Sequence, residues 1–314
     1  MMRISGELRD LAAASSLSAL LFASGVLVPL IGPPAGFLSA APLIWLAARR
    51  GWSAGILGGL LATAALLPAL PPPIALIFCL EHAVPAWFLG SRMRQRKSIV
   101  AGSAVAAVAV TVLMIGVTLV LSDRGHDPVQ VLEQQLREGL AELGSAGVVG
   151  PSATGTPAAL NESLEDVLAV LRRVLPAVTL VGVFLECALN SLLAARVLAR
   201  STVGAQPLNL TIFRLPEWLV WVLIAALALC WTPWPGVATV ALNAVLPLTF
   251  GYLLQGLSIT LQVAARARLS RFGTIMFATA FVFFPWLLAV PLLLGLLDFR
   301  FDFRTRWPLN LPPA

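Results

Sequence analysis

Two carboxylates interrupt long apolar runs, Glu81 and Glu186. His82 adjoins the first. Asn190 follows the second by four residues, which places Glu186 and Asn190 on one face of a helix. Asn243 and Gln255 add amides to a later apolar run, and Gln262 lies near its end. A carboxylate at the centre of a membrane-spanning helix costs about 2.5–3.5 kcal/mol to insert, so such a residue needs a compensating role. Two roles fit. Glu81, His82, Glu186, Asn190, Asn243 and Gln255 could line a polar pocket that binds a polar or cationic ligand or passes protons. Alternatively, they hydrogen-bond across helices and fix packing. Glu81 and His82 stand about 100° apart on a helix, so at most one points squarely inward.

Other chemistry has little support. The chain has no HExxH, no GxSxG, no Walker A and no DxxDD-type prenyl-phosphate motif. Without a Walker A it is no ATPase, and any coupling to ATP requires a separate partner subunit. Cys79, Cys187 and Cys230 fall in three different apolar runs with no CxxC pair, as small buried hydrophobes do. His82 and His126 are expected in different compartments and cannot share a metal. No cofactor is expected.

The elements that must position these groups are membrane helices. Of 314 residues, 59% are hydrophobic and 11% charged, with a mean hydropathy of +0.90. A soluble domain carries roughly 25% charged residues, so this outer surface must face lipid. The expected fold is all-α: a polytopic transmembrane helical bundle, one domain over residues 1–314. At about 20 apolar residues per crossing, the sequence gives about nine spans. They cover residues 11–31, 35–48 (short), 53–70, 74–90, 99–121, 174–198, 217–231, 237–264 and 274–297. Glu7 and Asp10 precede the first run and a second follows at once, so the first run reads as a span rather than a signal peptide.

Uncharged proline-rich breaks (Gly32-Pro33-Pro34, Pro71-Pro72-Pro73 and residues 232–236) alternate with basic ones around Arg49-Arg50, Arg92–Lys97, Arg196–Arg214 and Arg266–Arg271. Basic loops stay in the cytoplasm, so the N-terminus is cytoplasmic and the membrane is the bacterial inner membrane. The same placement in short loops turns the net charge of +6 into a topology signal, with no nucleic-acid partner. Nine spans leave a tail with Arg300, Arg304 and Arg306 outside; eight spans, with span 2 or span 7 not crossing, keep it inside. Residues 122–173 form an extracytoplasmic insert. Val129, Leu132, Leu136, Leu140 and Leu143 recur at helical spacing there, and Leu160 to Leu175 lead into span 6, with Asn161 or Ser163 as cap. The pair reads as surface helices or as a plain spacer. Pro42, Pro85, Pro247, Pro285 and Pro291 can kink their spans.

Three runs carry a resemblance: FRLPEW at 213–218, YLLQGLSI at 252–259 and LGLLDFRFDFR at 294–304. They resemble the C-terminal half of a bacterial membrane family catalogued as domain of unknown function 2232 and called YybS-like. APLIWLAARRGW at 41–52 resembles its N-terminal half. The likeness covers most of the chain except the insert. That family is similar to the substrate-binding S components of energy-coupling-factor transporters and to the cell-shape protein MreD. The first likeness implies small-molecule binding with a separate energising partner, the second an envelope scaffold with an envelope protein partner. S components usually have six spans, so no binding residue is carried over. An integral-membrane enzyme using Glu and His as acid and base ranks third. A cavity of about 300 Å³ or more at Glu186 and Asn190, between spans 4, 6 and 8, would favour binding; solid packing there would favour the scaffold.

Overall fold

The computed structural model describes residues 2–28, 32–123, 157–199, 213–266 and 283–303, with isolated positions 134, 273, 276 and 279–281. Apart from position 134, the proposed helix at 129–143 lies outside the described residues, as do His126, the basic breaks at 200–212 and 267–271 and part of span 9.

All described elements are helical. Helix α1 is Met2–Leu27, α2 Gly32–Gly36, α3 Ala40–Arg50, α4 Trp52–Leu66 and α5 Pro72–Phe78. A wide π turn, Cys79–Ala83, joins α5 to α6, Val84–Arg94. Then come α7 Ile99–Asp123, α8 Pro157–Ala199, α9 Leu219–Leu229, α10 Pro235–Arg266 and α11 Ala289–Phe301, the last preceded by a short 3₁₀ turn, Pro285–Leu288. Among the described residues, five helices are long and apolar enough to cross a membrane: Gly6–Leu27, Pro72–Arg94, Ile99–Val120, Glu165–Ala199 and Pro235–Ala264. Trp52–Leu66 and Leu219–Leu229 are shorter apolar helices. Large apolar side chains such as Leu119 and Val240, 66% and 72% exposed, cover the outside, as a lipid-facing surface requires. The chain is a multi-pass membrane protein.

Span 2 is the centre of the bundle. It is broken between α2 and α3, and Leu43, Ile44, Leu46 and Ala47 in α3 are fully buried. A helix of 11 residues is about 16 Å long, short of a bilayer core. Protein on all sides makes that length tolerable, because irregular backbone at membrane depth is allowed where neighbouring helices satisfy it. Gly51, at φ +106°, makes the tight reversal from α3 to α4, a conformation that favours glycine. At the same end Asp10 of α1 accepts from Arg50 Nε and Nη2 at 3.0 and 2.7 Å.

The end of the insert and span 6 form one helix, α8, of 43 residues. It begins at Pro157, so Asn161 and Ser163 lie inside it and do not cap it; proline is accommodated in the first turn, where its missing N–H has no partner to lose. Pro176 interrupts this helix, and Asn243 of α10 repairs it. The Ala177 N–H donates to Asn243 Oδ1 at 2.9 Å, and Asn243 Nδ2 donates to the Arg173 carbonyl at 2.6 Å. An unbroken helix would join those two backbone groups to each other. Asn243→Ala is expected to lower the thermal midpoint in detergent by the equivalent of about 1–2 kcal/mol. Adding Pro176→Ala should lessen the loss, since the helix can then close its own bond.

Candidate functional site

Glu81 and His82 lie in the π turn, where the Val84 N–H reaches back five residues to the Cys79 carbonyl. Pro85 follows at once and has no N–H for the Glu81 carbonyl, so a widened turn here has a local cause. The turn aims His82, not Glu81, at span 6. His82 is buried, and its Nδ1 lies 2.7 Å from Glu186 Oε1. Glu81 is half-buried beside the pair.

The other wall is the break in span 2. Ser39 Oγ lies 3.1 Å from the same His82 nitrogen. The Ser39 carbonyl accepts from Ser18 Oγ of α1 at 2.6 Å. Asn190 Nδ2 donates to the Phe37 carbonyl at 2.7 Å and to the Glu186 carbonyl at 2.9 Å. Two carbonyl partners fix the orientation of that amide, because only its nitrogen can donate. Asn190 is fully buried, and its Oδ1 has no donor among the described residues. Phe22 and Phe78 close the apolar side, their ring centroids 5.1 and 5.6 Å from that of His82. Such a centre can hold one proton between a carboxyl and an imidazole, sealed from water by aromatic rings.

The six sequence candidates therefore divide. Glu81, His82, Glu186 and Asn190 share one place, with span 2 in the position expected for span 8. Asn243 serves the α8 kink. Gln255 belongs to a separate junction: its Oε1 accepts from the Leu215 N–H at 2.9 Å, and its Nε2 donates to Asp298 Oδ2 at 2.9 Å. Asp298, which follows the last residue of span 9, is fully buried and also accepts from the Phe303 N–H at 3.0 Å. Arg214 lies 3.0 Å from Glu217 and 3.7 Å from Asp302. Sequence reasoning passed over Ser18 and Ser39. Their signal was faint: two serines in apolar runs, where hydroxyls are common and cheap to bury.

The polar centre is buried: His82, Glu186 and Asn190 are 7%, 6% and 0% exposed. None of its residues lines the cavity of about 650 Å³ between α7, α8 and α10, which faces the opposite side of α8. Among the described residues, no group of three or more His, Cys, Asp or Glu is placed to hold a metal.

The junction around Gln255 bears on ancestry, because it unites the 213–218, 252–259 and 294–304 runs in one hydrogen-bonded unit. The family model described as "Predicted membrane protein (DUF2232)" matches residues 16–299. The chain belongs to this family. The match covers both the span 2 centre and the Gln255 junction. Searches of curated proteins and of solved structures find no match.

Proposed function

We propose that this chain is a transport-related, small-molecule-binding protein of the bacterial inner membrane, working through the polar centre formed by His82, Glu186 and Asn190, with Glu81 beside it. The observation that supports it is the buried carboxyl–imidazole pair seated against a broken helix. Ionisable groups at membrane depth mark ligand or proton pathways by default. Discontinuous helices supply ligand and ion sites in transporters because their freed backbone groups can turn toward a substrate. The free acceptor lone pairs of Asn190 Oδ1 suit a donor: a cation, an ammonium group or a protonated ligand.

A thermal-shift screen of polar and cationic metabolites on the detergent-solubilised protein tests the reading. The expected outcome is a stabilising class whose effect disappears in Glu186→Gln and in Asn190→Ala, while both variants still insert. An unchanged response in both would count decisively against it. That Glu186 and Asn190 are buried and do not line the cavity of about 650 Å³ favours the second reading, a non-catalytic envelope scaffold. That reading expects a stable protein partner on crosslinking and no ligand response.

The topology we propose has eight crossings, with the short span 7 not crossing and the N-terminus in the cytoplasm, so that two crossings separate Arg214 from Asp302. Nine alternating crossings would put Arg214 and Asp302 on opposite faces, yet the two side chains approach to 3.7 Å.

A further inference from the structure

The cavity of about 650 Å³ falls within the range of small-molecule sites, about 300–1,000 Å³. Its walls are apolar: Ala104 and Val108 of α7, Phe184 of α8 and Phe250 of α10 are typical. Its charged members are Lys97, in the turn that precedes α7, and Arg214, just before α9. Among the described residues no Asp or Glu lines it. Arg214 is shared with Glu217 and Asp302. The exposed Lys97 ammonium has no carboxylate within ion-pair distance among the described residues. The lining of α7 runs from Ile99 to Val108, a length of about 14 Å at the rise of a helix. One basic end and a long greasy wall match a particular chemistry.

We propose that this cavity binds an amphipathic anion from the membrane, a lipid with one acyl chain and a phosphate or carboxylate head. The chain lies along α7 between α8 and α10 in van der Waals contact; moving from lipid into an apolar cavity brings no hydrophobic gain, so the head group decides the preference. The head meets Lys97 and Arg214 through charge-assisted hydrogen bonds. Lys97 belongs to the basic turn that loop charge assigns to the cytoplasmic face, where anionic lipid heads are available. The site does not depend on the polar centre. On α8, Leu180, Val181 and Phe184 face the cavity, while Glu186 and Asn190 face the other way.

The test uses the full chain in phosphatidylcholine nanodiscs. Dodecyl phosphate is titrated, with dodecanol and dodecyltrimethylammonium as head-group controls and inorganic phosphate as the control without a chain. Binding is read by native mass spectrometry and by thermal unfolding. Dodecyl phosphate is expected to bind saturably, one per chain, and to raise the midpoint by about 3 °C at ten times its Kd. Lys97→Gln should weaken it about ten-fold, the loss of one charge-assisted contact. Ala104→Trp should abolish it by filling the cavity. Equal saturable binding of dodecanol or of the cationic amphiphile would overturn the anionic head. Binding of inorganic phosphate with the same affinity would overturn the lipid. Undiminished binding in both variants would place the ligand elsewhere. Lys97→Gln alters an exposed side chain, so the test holds even where Ala104→Trp does not insert.

Discussion

His82→Leu is expected to destabilise the detergent-solubilised protein by about 3 kcal/mol, and adding Glu186→Leu to restore most of that loss. The single change leaves Glu186, 6% exposed, without its imidazole partner and with Phe22 and Phe78 as near neighbours of the gap. A carboxyl stranded there must be desolvated as an ion or take up a proton. Either course costs free energy that the pair avoids. The double variant removes both polar groups and leaves an apolar contact of similar volume, which buried sites accept readily. Unfolding in mixed micelles, followed by circular dichroism, gives the coupling between the two positions from the four-member cycle. Equal losses in the single and double variants would show that the two groups act independently. The double variant also separates stability from activity. If the polar centre binds or carries a ligand, the double variant folds and yet has no ligand response.

Gly256→Val carries a comparable penalty, about 3 kcal/mol, for a different reason. Gly256 and Gly295 lie where α10 and α11 cross with their backbones in contact. A Cβ at Gly256 would fall on the Pro291 carbonyl, and one at Gly295 on the Tyr252 carbonyl. Small residues allow such an approach, which is how membrane helices gain packing energy without a hydrophobic driving force. A backbone carbonyl cannot rotate aside as a side chain can, so the helices must separate. Separation also strains the Gln255–Asp298 and Leu215–Gln255 hydrogen bonds beside the crossing. Gly116→Val is the matched control: nothing lies within 4 Å of a Cβ there, and its effect should stay near 0.5 kcal/mol or less. Gly295→Val should resemble Gly256→Val, and the two together should cost less than their sum, since both open one crossing. If Gly256→Val and Gly116→Val have the same thermal midpoint, the close crossing is wrong.

Much of the candidate centre was legible at the level of helix faces. The four-residue spacing of Glu186 and Asn190 placed both on one face of α8, and both do contribute to the same centre. The choice between Glu81 and His82 was not legible, because a regular helix and a π turn rotate the two side chains differently. Asn243 shows the limit of reading a residue by its type. A buried amide in a span suggests a ligand group, but its partners turned out to be the two backbone groups that Pro176 leaves apart, 66 and 70 residues away in the chain. Gln255 and Asp298 were both visible as polar residues, 43 positions apart, with nothing in either run to say that they pair.

Low charge and long apolar stretches, read along the chain alone, determined that this protein lives in lipid as a helical bundle, because no other solvent accommodates such a surface. Proline-rich breaks likewise determined where α4 and α9 stop, since a missing N–H acts locally. Tertiary structure alone decided that the short second span is the buried centre, that His82 meets Glu186 there, and that the cavity lies across α8 from them. The reason is range. Solvent preference and helix breaking depend on a residue and its near neighbours, whereas a partner across a bundle depends on how every helix between is turned and packed.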